Sequence, residues 1–229
     1  DAAVFTHVSN VFGYILPVRE MAAECRAAGV PFVLDAAQSA GSLPVDFEAL
    51  GAEFIAMPGH KGLLGPQGTG LLLCGDSGKP LLFGGTGTLS REKTMPEDLP
   101  ERLEAGTVNV PGAAGLAAGI RLVRGMTPEE IFARGHGQTM ACGRALEEMG
   151  YRVFTGPHQA MTLSFQGKAD CEEIAEALGS RGIAVRAGLH CAPLAHESAG
   201  TLEKGTVRIS FGHDASPAQT NALLRALGV

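Results

Sequence analysis

The feature that most constrains the fold is segment 56–70, in which a short apolar run leads directly into a lysine surrounded by glycines. Residues 54–57 have strand character, the run ends at Pro58, and Gly-His-Lys follows in a turn. Five glycines between positions 59 and 70 keep the backbone near Lys61 free of side chains, so a bound ligand can approach it closely. A lone loop lysine usually points into solvent, so Lys61 by itself does not establish a site.

A second apolar run ends in an acid. Residues 30–34 contain only apolar side chains, one of them a proline, and Asp35 follows them before a run of small residues. Open α/β sheets bind ligands at the carboxyl ends of their strands, and a carboxylate buried there needs a partner. A protonated pyridine nitrogen is such a partner, so Asp35 and Lys61 together suggest pyridoxal phosphate (PLP) with a Schiff-base lysine. For Asp35 alone, the alternative is that it caps the following helix.

The spacing of apolar runs predicts an α/β protein. An amphipathic helix at residues 16–28 separates the first two strands, a rhythm that favours a mostly parallel sheet with right-handed crossovers. From about residue 152 onward, strands followed by packed helices favour a small α+β domain. We therefore predict that residues 1–118 belong to a large domain and that residues 119–229 form a small C-terminal domain. Strands are expected at residues 3–6, 32–35, 54–57, 70–74, 152–155, 161–165, 183–187 and 207–211, and further helices at 111–123, 127–149, 171–178 and 216–227.

Composition excludes several classes of protein. With 229 residues, 45% of them hydrophobic and 18% charged, the chain can bury a substantial core. A formal charge of -6 argues against a nucleic-acid partner, and no apolar run approaches the roughly 20 residues that span a bilayer. Five cysteines, without a CxxC pair, give neither a zinc-site pattern nor a disulfide framework. We expect no metal site, no membrane association, and a location in the reducing cytoplasm.

Taken in order, the motifs resemble those of the class V aminotransferase family, and within it those of the cysteine desulfurases. The resemblance covers nearly the whole chain and implies a PLP-dependent transferase of fold type I, with part of the large domain followed by the small C-terminal domain. The chain opens inside a strand without an initiator Met, and the family's N-terminal phosphate loop has no counterpart, so we expect an N-terminally incomplete protein. The matching motifs are His7-Val-Ser-Asn10, Asp35-Ala-Ala-Gln38, His60-Lys61, Gly65-Pro66, Glu104-Ala-Gly-Thr107-Val-Asn109, Arg186-Ala-Gly-Leu-His190-Cys191-Ala-Pro and Arg208.

The resemblance implies a cofactor site of five residues. Lys61 forms the Schiff base and moves the substrate's proton, and Asp35 keeps the pyridine nitrogen protonated. Gln38 donates a hydrogen bond to the phenolic oxygen of the ring, and His60 contacts the phosphate. Thr107 reaches the phosphate of the neighbouring subunit's cofactor, which implies a homodimer with shared active sites. Without the resemblance, His60 could as well be a loop histidine in water, and the alternative for Thr107 is a threonine in an ordinary turn.

Cys191 distinguishes a desulfurase from a transaminase. By resemblance, Cys191 attacks the sulfur of a cofactor-bound L-cysteine, giving L-alanine and a persulfide whose sulfur passes to an acceptor protein. The thiolate is the reacting form, and Arg186 and His190 are nearby cations that would favour it, unless His190 faces away. The resemblance implies a substrate-binding site of Asn10, Arg186 and Arg208, in which Arg208 and Asn10 bind the carboxylate and Arg186 lies close to it. The other four cysteines are expected to be ordinary small apolar residues.

Several alternatives stay open. A selenocysteine lyase differs only in the chalcogen of its substrate, whereas a class V aminotransferase would leave Cys191 without a task. A truncated module that binds a partner and no longer catalyses is favoured by the missing N-terminal segment. It is also favoured by Pro58, which replaces a serine that often binds phosphate in the family and offers neither a hydroxyl nor a backbone N–H.

Overall fold

The computed structural model describes residues 1–75, 78–89 and 91–228, whose strands form two four-stranded sheets. In the first sheet, three strands are parallel and the fourth runs antiparallel to the third. The fourth strand reverses because only the loop of residues 59–69 joins it to the third, whereas a parallel partner needs a longer crossover. A mostly parallel sheet is therefore confirmed. Its order is β1 (Ala3–Thr6), β2 (Phe32–Asp35), β3 (Phe54–Pro58) and β4 (Gly70–Cys74).

The second sheet is entirely antiparallel and belongs to the C-terminal half. Its two central strands pair along most of their length, and the shortest strands lie at the edges. This sheet, with its helices, is the α+β unit predicted from the sequence. In spatial order its strands are β5 (Arg152–Phe154), β6 (Thr162–Gln166), β8 (Thr206–Ser210) and β7 (Arg186–Gly188).

The helices begin and end largely where the sequence predicts. At the start of the longest helix, the hydroxyl of Thr127 accepts a hydrogen bond from the amide of Glu130, and Pro128 occupies the first turn, where its missing N–H costs nothing. Among the described residues, no helix is both long and apolar enough to cross a lipid bilayer. The helices are α1 (Val18–Ala27), α2 (Phe47–Leu50), α3 (Val110–Met126), α4 (Pro128–Glu148), α5 (Cys171–Gly179), α6 (Pro193–Ser198) and α7 (Pro217–Gly228).

Two details differ from the sequence prediction. The apolar run 183–187 was expected to be a strand, but β7 begins only at Arg186. The amide of Ile183 instead donates to Leu178 O at the end of α5, which holds the first residues of the run against the second core. Helix α6 was not predicted, because it is a single short turn whose start has no side-chain cap. The predicted domain boundary at 118/119 falls within α3 and stays a prediction.

Each sheet has its own hydrophobic core, and a third, smaller core joins the halves. Leu34 and Ile55 are fully buried in the first core, and Phe165 is fully buried in the second. The third core is built around Phe12, whose ring lies 5.1 Å from that of Phe154.

Segment 10–15, which follows β1, carries this third core and lies against the second sheet. Ser164 Oγ donates to Val11 O at 2.7 Å, and Gln159 Nε2 donates to Phe12 O at 2.6 Å. Tyr14 forms a β-bridge with Gln159. The two residues of each hydrogen bond are about 150 positions apart in the sequence, so the C-terminal half fixes the position of a segment from the first half.

Candidate active site

The lysine loop, residues 59–70, is closed by hydrogen bonds between its own backbone groups. The Gly59 amide donates to Thr69 O at 2.8 Å, and the Gly65 amide donates to Gly59 O at 2.7 Å. Lys61 is exposed at the turn that these bonds define, directly after β3. The loop therefore holds the lysine backbone firmly and leaves its amine free to reach a ligand.

Two glycines bring the lysine loop into contact with the segment that follows Asp35. A Cβ atom on Gly41 would lie 2.1 Å from Gly62 O, and one on Gly62 would lie 2.2 Å from Ala40 O. Gly41 also has φ +87°, which other residues rarely adopt. Only glycines allow these two backbones to approach so closely, and their contact fixes the position of Lys61 relative to Asp35.

Asp35 lies at the carboxyl end of β2, where its register partner in β3 is Ala56. Its side chain is exposed, and its Oδ1 accepts a hydrogen bond from the Ala37 amide at 2.8 Å. This bond closes a local turn, and residues 37–42 form turns, so the helix-capping alternative for Asp35 does not hold. The second carboxylate oxygen remains available to a ligand at the edge of the sheet.

Lys61 and Gln38 line the same cavity, of about 210 Å³, between the two halves of the chain. The opposite wall of the cavity is formed by residues in or next to the strands of the second sheet, among them Met161, Ser210 and Phe211. An amine and an amide from the first half thus face residues of the second half. A ligand in this cavity would contact both.

The remaining predicted cofactor residues lie outside the contacts just described. His60 is exposed in the turn beside the lysine. Thr107 is exposed in the segment that precedes α3, next to Gly106, whose amide donates to Gly84 O. Pro58 is the register partner of Gly70 at the end of β3. Roles for His60 and Thr107 toward a phosphate stay predictions.

The cysteine loop, residues 188–192, has a different construction. His190 and Cys191 both have positive φ values, 52° and 59°, although neither is a glycine. Asn10 Nδ2 donates to His190 O at 2.7 Å, and the Ala192 amide donates to Leu189 O at 2.9 Å. These bonds hold the strained backbone in place and leave the Cys191 side chain exposed.

His190 faces away from the thiol. Only 3% of its surface is exposed, and its Nε2 lies 3.1 Å from both the carbonyl oxygen and the hydroxyl of Thr206. Its ring centroid is 5.6 Å from that of His196. Burial, followed by the charge of Arg208, lowers the pKa of His190 to about 4. The histidine is therefore a neutral anchor of the loop at neutral pH and supplies no cation to Cys191.

Two arginines lie side by side next to the cysteine loop. Arg186 on β7 is the register partner of Arg208 on β8. Arg208 is half-buried, and its Nη1 donates to Asn10 O at 2.9 Å, while its buried Nε has no partner among the described residues. Arg186 is exposed, and its Nη2 donates to Cys191 Sγ at 3.6 Å. Burial, followed by the charge of Arg186, lowers the pKa of Arg208.

The structure thus brings together four of the predicted residues, Asn10, Arg186, Cys191 and Arg208, from both ends of the chain. Strand β8 links this group to the lysine cavity, because Arg208 belongs to the first and Ser210 lines the second.

The other cysteines differ from Cys191 in accessibility. Cys142 and Cys171 are buried, and Cys25 and Cys74 are half-buried. Burial raises the pKa of the Cys142 thiol to about 12. Burial, together with a hydrogen bond to Glu172, raises the pKa of Cys171 to about 11. Of the five, only Cys191 presents an exposed thiol.

Sequence reasoning missed the residues that position the site. The contact between Gly41 and Gly62 joins two turns, and no local pattern predicts which glycines touch. Thr206, which holds His190, reads from sequence as an ordinary strand residue. The only clue in the sequence was His190 of the cysteine loop, because a histidine that becomes buried needs a hydrogen-bonding partner elsewhere in the chain.

The class V aminotransferase family model matches residues 1–223. The chain belongs to this family. It is 36% identical over 213 residues to a probable cysteine desulfurase of Methanothermobacter thermautotrophicus, covering 86% of this chain and 53% of that protein. It is 39% identical over 199 residues to a cysteine desulfurase of Synechococcus elongatus, covering 82% of this chain and 31% of that protein.

Solved structures give the same result for the fold. The apo structure of a cysteine desulfurase from Thermococcus onnurineus superposes with a TM-score of 0.89 at 33% identity, covering 98% of this chain and 58% of that one. The predicted fold class, a PLP-dependent transferase of fold type I, is confirmed. This family member spans about half the length, or less, of the curated relatives it matches.

Proposed function

We propose that the complete protein is a PLP-dependent cysteine desulfurase that converts L-cysteine to L-alanine and leaves a persulfide on Cys191. The observation that carries this proposal is the cysteine loop, in which an exposed thiol lies within reach of Arg186 and next to the half-buried Arg208. An exposed thiol beside two guanidinium groups suits a nucleophile that works next to a bound carboxylate. The names of the relatives support the same activity.

The residues of the lysine cavity fit PLP. Lys61 supplies an amine, Gln38 an amide that lines the same cavity, and Asp35 a carboxylate at the adjacent strand end. The glycine contact between positions 41 and 62 keeps the space beside the lysine free of side chains. When bound there, PLP would supply an electron sink for charge that develops on the α-carbon of the substrate.

The residues of this chain divide the remaining work. Arg208 and Asn10 hold the substrate carboxylate, and Lys61 accepts and returns the α-proton. The Cys191 thiolate attacks the sulfur of the substrate. A sulfur–sulfur bond forms as the substrate's carbon–sulfur bond breaks, and the electron pair of the broken bond stays on carbon, which takes up a proton to give alanine.

Further parts of the proposal concern partners. We propose a homodimer in which Thr107 contributes to the phosphate site of the partner subunit, since its exposed position leaves it accessible to a second chain. The persulfide sulfur passes to an acceptor protein, for which the exposure of Cys191 is a requirement. We place the protein in the reducing cytoplasm, where five free cysteines persist.

A comparison of two cysteine variants tests the activity. In the complete protein loaded with PLP, Cys191→Ser should lower sulfide release from L-cysteine by at least about a hundredfold, because the nucleophile is lost. The matched control is Cys74→Ser, a half-buried cysteine on β4, which should keep wild-type rates. Undiminished sulfide release from Cys191→Ser would refute the persulfide role. Selenocysteine offered in parallel shows which chalcogen is preferred.

A chemical trap tests the cofactor site. Borohydride reduction of the PLP-loaded complete protein should fix the label on Lys61, as mapped by peptide mass spectrometry, and Lys61→Ala should remove it. The control is Lys79→Ala, an exposed lysine that should leave labelling unchanged. A label on any other residue, or none at all, would contradict a PLP enzyme and favour a module that only binds partners.

A further inference from the structure

The two arginines at the cysteine loop form a like-charged pair that needs two anions. Arg186 and Arg208 are register partners on neighbouring antiparallel strands, so their side chains leave the same face of the sheet. Each charge opposes the other, and the pKa of Arg208 is lowered in part by Arg186. One substrate carboxylate can satisfy one guanidinium, which leaves the second in need of another partner.

The contacts of the two arginines differ. Arg208 is half-buried, and its Nη1 donates to the backbone of Asn10, the residue that shares the substrate carboxylate with it in the proposed function. Arg186 is exposed, and its Nη2 donates to Cys191 Sγ at 3.6 Å, a hydrogen-bonding distance for sulfur. The sulfur is thus the partner that Arg186 already has.

Of the two cations expected from the sequence to assist the thiol, Arg186 and His190, the histidine is excluded by its position. His190 is adjacent to Cys191 in the chain, but its ring is buried and bonded to Thr206. Described charged groups around the thiol are Arg186 from β7 and Arg208 from β8, with neutral His190 and His196 behind the loop. From α5, Glu172 is engaged with the Cys171 thiol. Arg186 is therefore the cation nearest to the reacting sulfur.

We propose that Arg186 serves the nucleophile rather than the substrate: its guanidinium holds the Cys191 thiolate before the attack and the persulfide anion after it. This inference rests on the proposed desulfurase function and deepens it. In the attack the negative charge leaves the Cys191 sulfur as the sulfur–sulfur bond forms. After the product carbon has taken its proton, deprotonation of the outer sulfur restores an anion beside the same arginine. One cation thus stabilises both resting forms of the residue.

The first test measures the reactivity of Cys191 directly and needs no turnover. Iodoacetamide is uncharged, so its reaction rate follows the thiolate and not electrostatic steering of the reagent. In the complete protein, Arg186→Gln should slow carboxamidomethylation of Cys191 at pH 7 about five- to tenfold, with Arg186→Lys recovering most of the rate. At pH 10 the carboxamidomethylation rates of the wild type, Arg186→Gln and Arg186→Lys should agree within about twofold, because hydroxide then deprotonates the thiol without help from the arginine.

The control is Arg144→Gln, which removes an exposed arginine from α4 and should leave the rate unchanged. An equal loss at both pH values would show that Arg186 only shapes access to the thiol, and no loss at either pH would show that it does not assist the sulfur. Either outcome overturns the proposal. Peptide mass spectrometry assigns the adduct to Cys191 and separates it from the less accessible cysteines.

The second test separates the two arginines kinetically. Arg186→Gln should lower kcat about tenfold with KM for cysteine changed less than about twofold, whereas Arg208→Gln should raise KM by about tenfold or more. A raised KM in Arg186→Gln with unchanged alkylation would make it a carboxylate ligand and overturn the proposal. If the wild-type protein releases no sulfide, the desulfurase function fails, and the alkylation result still stands alone.

Discussion

The lysine loop and the cysteine loop solve the same problem in opposite ways. Each must hold one reactive side chain at the boundary between the two halves of the chain. The lysine loop is positioned by close backbone contact between Gly41 and Gly62, which no side chain can enter. The cysteine loop is positioned by side chains, with Asn10 bonded to the His190 carbonyl and the imidazole bonded to Thr206.

This difference predicts how each loop fails. Where position depends on missing side chains, adding a single carbon is damaging, because the neighbour is backbone and cannot move aside. Where position depends on hydrogen bonds, removing atoms is damaging, since a strained positive-φ backbone then loses what holds it.

The largest effect is expected for Gly41→Ala. The new methyl group would lie 2.1 Å from Gly62 O at a residue with φ +87°, so both a clash and backbone strain oppose the native turn. We expect the free energy of unfolding in urea to fall by roughly 3 kcal/mol. The control, Gly125→Ala in α3, has nothing within 4 Å of the added carbon and should not destabilise the protein. Equal stability of both variants would mean that the glycine contact does not position the lysine loop.

The next effect is a pH dependence of the cysteine loop. Because burial lowers the pKa of His190 to about 4, the folded protein binds this proton less readily than the unfolded chain. Wild-type stability should therefore be complete above about pH 6.5 and fall as the pH drops toward 4.

The variant His190→Asn isolates this contribution from those of His7 and His196, whose pKa values burial also lowers. The stability gap between wild type and His190→Asn should shrink by on the order of 2 kcal/mol between pH 7 and pH 4. Ser198→Ala, which removes an exposed hydroxyl at the end of α6, should show a constant gap. A constant gap for His190→Asn as well would place this imidazole in solvent.

A smaller effect is expected for Asn10→Ala. The variant loses the 2.7 Å bond to the His190 carbonyl, which should lower the free energy of unfolding by about 1 kcal/mol. Asn221→Ala, at an exposed position on α7, is the matched control and should be neutral. If the two variants were equally stable in urea, the cysteine loop would not depend on segment 10–15.

The smallest effect is expected for Pro58→Ser, which restores the hydroxyl that the family often carries there. Its position at the end of β3 tolerates serine, so folding should be unaffected. The dissociation constant for PLP, measured by fluorescence titration of the complete protein, should decrease by less than about tenfold, the value of one added hydrogen bond. Weaker binding would show that the phosphate does not reach this strand end.

How far the sequence reaches depends on the range of the interactions involved. Strands such as β2 and helices such as α4 were predictable, because apolar periodicity and the Thr127-Pro128 start act within a few residues. The start of strand β7 was predicted wrongly. The apolar residues before it pack against the second core, and a short apolar run that packs there has the same local pattern as a buried strand.

The features of the candidate site also divide into those that local sequence patterns predict and those that only the folded chain brings together. Lys61, Asp35 and Cys191 could be proposed from their motifs, since each is surrounded by short-range signals of turns and strand ends. The bond between Asn10 and His190 spans 180 residues, and only the folded chain brings the two together. The contact of Arg186 with the thiol depends on the turn that follows β7, in which His190 and Cys191 both have positive φ.

Segment 10–15 has a practical consequence for anyone who wishes to dissect this protein by cloning. Residues near the start of this chain complete the C-terminal half, where Ser164 and Gln159 hold the carbonyls of Val11 and Phe12. A plasmid encoding only residues after the 118/119 junction would yield a polypeptide with an uncovered Phe154 and a Ser164 hydroxyl that has lost its acceptor, the carbonyl of Val11. Adding these six residues back, through a linker or as a separate peptide, would supply the contacts that the isolated half lacks.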